Sequence, residues 1–222
     1  MVFRDRNEAG RLLALALKDY RDQKIVVLAL PRGGVPVAAQ VARYLDAPLD
    51  LLLVRKIGVP GHAELAMGAV IDGDHPIAVR NEDVIRFVRA TPADFSRAYN
   101  KALDELERRR QRYLAGQSPF PVSGRTVILV DDGIATGATI RAAIKGLRQR
   151  NPAAIVLAAP VAPPETVEAL RPLVDDIVCL DRPALFRALS LHYADFHQVS
   201  DEEVLELLAA ARARTDTPER AG

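Results

Sequence analysis

The chain has 222 residues, 30 Lys and Arg against 29 Asp and Glu, and a formal net charge of +1. Hydrophobic residues make up 49%, which excludes disorder over most of the chain, and this length can bury the core of one α/β domain or of two small ones. So balanced a charge argues against a bulk electrostatic grip on DNA or RNA. The single cysteine, Cys179, permits neither an internal disulfide nor a thiolate metal cluster, and its apolar neighbours place it in the core. His62, His75, His192 and His197 lack the paired spacing of a zinc site. Apolar runs reach about eight residues against the roughly 20 of a membrane span, and the opening MVFRDRNEAG has no apolar core of the signal-peptide type. The expectation is a soluble, cytoplasmic protein with no nucleic-acid or membrane partner.

Two patterns alternate along the chain. Helical periodicity spans residues 7–20, 35–45, 139–150, 164–170 and 201–212. Short runs that are apolar on both faces occupy 25–30 (IVVLAL), 49–54 (LDLLLV), 127–130 (VILV), 155–159 (IVLAA) and 177–180 (IVCL), as expected of strands buried in a parallel sheet. A weaker strand is expected at 69–71 or at 77–79. The longest helix should run over 92–115, with Thr91 as cap, Pro92 at its first position and Gly116 at its end. Phe95, Tyr99, Leu103, Leu106, Tyr113 and Leu114 form its apolar stripe, and the basic run 108–112 reads as a solvated helix end. Residues 56–66 (KIGVPGHAELA), with two glycines and a proline after a strand, read as a mobile loop. The alternation predicts an α/β fold: a Rossmann-like parallel sheet with helices on both faces and ligands bound beyond the carboxyl ends of its strands. One domain is expected over 1–213, with its core at 20–180 and a small C-terminal hood at 181–213, and a frayed tail over 214–222.

Residues 127–139, VILVDDGIATGAT, carry the most chemistry. An apolar strand ends in two adjacent carboxylates, Asp131 and Asp132, and a small-residue turn then opens a helix. The turn Ala135-Thr136-Gly137-Ala138-Thr139 offers backbone N–H groups at a helix N-terminus, with two threonine hydroxyls beside them, which suits a phosphate dianion. No Lys follows the glycine, so this is not a triphosphate loop, and G-x-G-x-x-G is absent. Carboxylates beside a phosphate repel it unless sugar hydroxyls intervene, and a ribose 5-phosphate meets both requirements.

This arrangement resembles the signature of the type I phosphoribosyltransferases, which use 5-phosphoribosyl 1-pyrophosphate (PRPP). The resemblance implies that Asp131 and Asp132 hold the ribose hydroxyls and that residues 135–139 hold the 5-phosphate. Earlier in the chain, Pro31-Arg32-Gly33-Gly34 follows the first strand; arginine brings fixed charge, and paired glycines allow close backbone approach. It resembles the family's pyrophosphate loop, where a non-proline cis peptide precedes the glycine, so Arg32, Gly33 and Gly34 become the pyrophosphate residues. Arg55 and Lys56 open the segment that forms the family's closing lid, and with Arg32 they are the expected catalytic cations. His62 and Glu64 either reach the site on closure or remain a solvent-exposed pair. The hood of the family recognises the acceptor, often by stacking, which makes Phe186, Tyr193 and Phe196 candidates; the alternative is that these rings pack the hood against the core.

The implied reaction displaces pyrophosphate from ribose C1 in favour of a nucleobase or related nitrogen acceptor. Mg²⁺ would arrive on PRPP with no direct protein ligand, touching Asp131 and Asp132 only through water. Family habit implies a homodimer. Ala135 stands where the 6-oxopurine enzymes carry a further acid, so the acceptor stays open, and the overall order resembles stand-alone bacterial phosphoribosyltransferase-like proteins of unassigned acceptor. A non-catalytic PRPP-binding regulator is the alternative function. It is disfavoured by Arg32, Arg55 and Lys56, which a sensor would not need. PRPP synthesis is a weaker third reading, since no segment resembles an ATP site.

Overall fold

A computed structural model describes residues 1–73, 75–114 and 117–215. They divide into two compact units, one formed by the described residues within 1–51, 120–137 and 150–215, the other by those within 52–119 and 138–149. Among the described residues no helix is long and apolar enough to cross a membrane.

The first unit is built on five parallel strands. In chain order it holds α1 (Arg6–Ala16), β1 (Ile25–Ala29), α2 (Gly34–Tyr44) and β2 (Leu49–Leu51). The second unit then contributes β3 (Val54–Val59), β4 (His62–Ile71), β5 (Ile77–Arg80), α3 (Glu82–Phe87) and α4 (Pro92–Leu114). The chain continues with β6 (Thr126–Val130) in the first unit and α5 (Ala138–Arg148) in the second. It finishes in the first with β7 (Ala154–Val161), α6 (Pro164–Leu170), β8 (Asp176–Asp181) and α7 (Asp201–Thr215).

The parallel sheet has the order β2-β1-β6-β7-β8. Every residue of β1 and of β6 is buried, so the runs without alternation found their predicted place in the sheet interior. From β1 the chain passes to β2 on one side, while β6 pairs with β1 on the other, in register from Ile25↔Thr126 to Ala29↔Val130. The strand order thus reverses between β1 and β6, and the loops leaving their carboxyl ends emerge side by side, where an open α/β sheet binds ligands. The α/β class and the helix-flanked parallel sheet agree with the sequence expectation. Residues 189–199, beyond β8, are held to the N-terminal segment by backbone bonds Phe3 N to His192 O (2.9 Å) and Ala194 N to Phe3 O (2.8 Å).

The second unit departs from the sequence reading. The single strand expected over 49–54 stops at Leu51, and a new antiparallel strand starts at Val54, because Leu52 and Leu53 are buried without joining the parallel ladder. The expected loop 56–66 is a hairpin of β3 and β4, paired from Val54↔Ile71 to Val59↔His62 around a turn at Pro60 and Gly61, where Gly61 has φ +77°. Both weak strand candidates are real: 69–71 belongs to β4, and 77–79 to β5, which pairs with it. Gly68 makes that pairing possible, since a Cβ there would stand 2.2 Å from the Val79 carbonyl. Helix α3 was not expected from the sequence. Thr91 caps α4 as predicted, its Oγ1 accepting from Asp94 N at 3.2 Å; the proposed stop at Gly116 lies outside the described residues. Of the expected tail, Arg214 and Thr215 extend α7, and the rest lies outside the described residues.

Candidate functional site

The two loops predicted to bind substrate meet at the carboxyl ends of β1 and β6. The Pro31–Arg32 peptide bond is cis, as the resemblance implied. Gly33 and Gly34 then press onto the acidic pair. A Cβ on Gly33 would lie 2.1 Å from Asp132 Oδ2, and one on Gly34 would lie 3.0 Å from Asp131 Cα and 2.9 Å from the Val130 carbonyl. Any side chain here would push the loops apart, which is the physical reason for paired glycines. Arg32 is partly exposed and stands 3.6 Å from Asp201 at the start of α7.

The two acids have different surroundings. Asp131 keeps some exposed surface, and its Oδ1 accepts from Asp132 N at 2.9 Å. Protein packed around its carboxyl, and then the neighbouring Asp132 charge, raise its pKa well above the ordinary carboxylate range. Asp132 is buried, and Arg6 Nε donates to its Oδ2 at 2.7 Å. Sequence reasoning did not find Arg6. One arginine in a helical pattern carries no signal, and its partner lies 126 positions away.

After the pair, Gly133 packs so closely on Leu189 that a Cβ would come within 2.1 Å of Leu189 Cδ1. Thr166 Oγ1 donates to the Ala135 carbonyl at 2.7 Å, and Gly137 takes a left-handed φ of +71°. Ala135 and Thr136 remain exposed, and the chain runs directly into α5 at Ala138, with Ala138 and Thr139 exposed in its first turn. The predicted phosphate turn therefore has the loop-to-helix geometry that suits an anion.

In the second unit, a cleft of about 950 Å³ is lined by Arg55, Lys56, His62 and Thr139 together with Arg97 and Lys101 of α4. Arg55 is ion-paired with Glu105, which also lines the cleft. Arg97 and Lys101 were missed, although their spacing of four on a predicted helix puts them on one face and could have revealed them. The side chain of Glu64 lies outside the described residues.

The hood candidates divide. Tyr193 is buried against Phe3 with ring centroids 5.6 Å apart, and its hydroxyl donates to the Asp132 carbonyl. Burial raises its pKa, so the phenol stays a hydrogen-bond donor. These contacts agree with the packing alternative for this ring rather than with stacking on an acceptor. Phe196 lies 5.3 Å from Tyr193 and carries the Arg6 guanidinium 4.0 Å above its ring. Phe186 stacks on His192 at 5.3 Å beside the exposed Leu185. Cys179, expected in the core, is only partly buried.

The phosphoribosyl transferase domain family matches residues 5–187 of the chain. Two proteins of Mycobacterium tuberculosis, from strains CDC 1551 and H37Rv, each described as a "Putative phosphoribosyl transferase", are 45% identical over 210 residues, or 95% of this chain and 47% of theirs. The chain thus spans about half the length of these curated relatives. The crystal structure of TT1426 from Thermus thermophilus is 43% identical, with a TM-score of 0.84 over 95% of this chain and 99% of that one.

Proposed function

The chain belongs to the phosphoribosyltransferase family, and from that premise we propose that it uses PRPP and Mg²⁺ to transfer a 5-phosphoribosyl group to a nucleobase or related nitrogen acceptor, releasing pyrophosphate. The observation that carries this reading is the seating of Gly33 and Gly34 on Asp131 and Asp132 where the strand order reverses. An anion-binding loop and a hydroxyl-binding carboxylate thereby adjoin, as a sugar bearing both phosphate and pyrophosphate requires.

Asp131, the more accessible acid, accepts from the ribose hydroxyls, and the turn 135–139 receives the 5-phosphate. Arg32 with the Gly33–Gly34 backbone binds pyrophosphate. Negative charge grows on that group as the C1–oxygen bond breaks, so cations placed there act most strongly in the transition state. The cleft of the second unit is anion-binding in its own right, with Arg55, Lys56, Arg97 and Lys101 against Glu105. Arg55 and Lys56 serve the leaving group in this reading. Phe186 remains as the ring offered to the acceptor. Among the described residues no cluster of three or more His, Cys, Asp or Glu could hold a metal, while Asp131 offers the hard oxygen donor that suits a hydrated Mg²⁺ arriving on the substrate. Such an ion would neutralise charge on the departing pyrophosphate. One domain over 1–213, a homodimer and a cytoplasmic location complete the proposal.

The test is pyrophosphate release from PRPP and Mg²⁺ across a panel of nucleobases, with Asp131→Asn as control. Release that needs one base and falls about 10- to 100-fold in the control supports the enzyme and names its acceptor, the range being what one hydrogen bond to a charged group contributes. PRPP binding without release for any base would transfer the assignment to a regulator.

A further inference from the structure

The second acid of the signature has a partner of its own. Arg6 and Asp132 have side chains only 6% and 10% exposed, and Arg6 Nε to Asp132 Oδ2 is 2.7 Å. Arg6 Nη1 also donates to the His197 carbonyl at 2.8 Å, and its guanidinium lies over the faces of Phe196 and Tyr193 at 4.0 and 5.7 Å. Tyr193 ties its hydroxyl to the Asp132 carbonyl, and Gly33 closes over the carboxylate from the side of the Arg32 loop. An isolated buried ion pair loses much of its attraction to desolvation. Here the cation gains a further hydrogen bond and two aromatic faces, an arrangement that spends two of the three hood rings on holding one arginine.

Two adjacent carboxylates at one loop repel each other and any incoming phosphate. We propose that Arg6 is the positioning residue of this site: it takes Asp132 as an internal counter-charge that fixes the loop and supports Gly33, and so leaves Asp131 as the one carboxylate presented to the ribose hydroxyls. The proposal rests on the PRPP reading and divides labour within the acidic pair. Asp131 binds; Asp132 anchors. The N-terminal helix, Arg6 being its first residue, thereby becomes part of the substrate site without touching substrate.

The experiment measures PRPP affinity by calorimetry, with thermal melting in parallel, for the wild type and for Asp131→Asn, Asp132→Asn, Arg6→Gln, Arg6→Lys and the double variant Arg6→Gln/Asp132→Asn. Asp132→Asn keeps an oxygen for Arg6 and should lose only a few-fold in affinity, about tenfold less than Asp131→Asn loses. Arg6→Gln strands a buried charge and should lower both melting temperature and affinity. Neutralising that charge in the double variant should restore a good part of each, and Arg6→Lys should fall between Arg6→Gln and the wild type. Should Arg6→Gln not fold, the comparison of the two Asn variants and the rescue by Arg6→Lys decide. Equal losses for Asp131→Asn and Asp132→Asn, or a double variant that binds no better than Arg6→Gln, overturn the division of labour. A wild type that binds no PRPP overturns the reading of the site, and the inference with it.

Discussion

The acidic loop after β6 and the cationic cleft lined by α4, both proposed to receive an anionic sugar, are built by opposite means. The first is dense. Asp132 is enclosed by Arg6, Tyr193 and Gly33, and even a methyl group on Gly33 or Gly133 would collide with a neighbour at 2.1 Å. The second is open. Its cations are surface side chains on a hairpin and a helix, and a methyl group on Gly58 in the same cleft would meet nothing within 4 Å. Contact-dense positions hold geometry to a fraction of an ångström, whereas exposed charges act through long-range attraction that tolerates movement and is screened by salt. Substitutions in the loop should therefore act through shape, and those in the cleft through charge.

The sharpest break of that contrast comes at Arg32. Its loss should slow turnover roughly 100-fold, the scale of one donor at a developing charge, and leave ribose 5-phosphate affinity nearly unchanged. Steady-state kinetics beside a ribose 5-phosphate titration read the two effects separately, and equal losses would move the pyrophosphate loop elsewhere. Next comes Gly33→Ala against Gly58→Ala. The first forces a Cβ into the Asp132 carboxylate and should cost about 1–3 kcal/mol, or roughly 2–12 °C in Tm. The second meets open space and should melt with the wild type. Similar Tm shifts for both would erase the distinction between dense loop and open cleft. Smallest is Lys101→Ala, which should weaken pyrophosphate binding about 2- to 5-fold at low salt, as expected for a single exposed charge. That deficit should shrink as salt is raised, and a salt-independent loss would show Lys101 to be buried against its ligand rather than steering it.

The same contrast explains how much could be read in advance. The parallel sheet was legible because a strand covered on both faces needs an unbroken apolar run, and β1 (IVVLA) and β6 after Thr126 (VILV) supply one. The acidic turn was legible because the residues proposed to perform its chemistry are contiguous. The break at Leu52 and Leu53 left no mark, since an apolar run reads alike whether it continues one strand or passes between two. The hairpin within the expected loop 56–66 was misread because Gly58, Pro60 and Gly61, which suggest a loop, instead sit at a register shift in β3 and at its turn.

Local pattern along the chain was thus enough for the fold class, the order of the motifs and the candidate anion loop, because each depends on neighbours in sequence. That Asp132 pairs with Arg6, that the Tyr193 hydroxyl reaches the Asp132 carbonyl, and that α4 brings Arg97 and Lys101 to a cleft with Arg55 were decided by folding. Those roles depend on burial and on partners up to 126 residues distant, and neither quantity is written in any stretch of neighbouring residues.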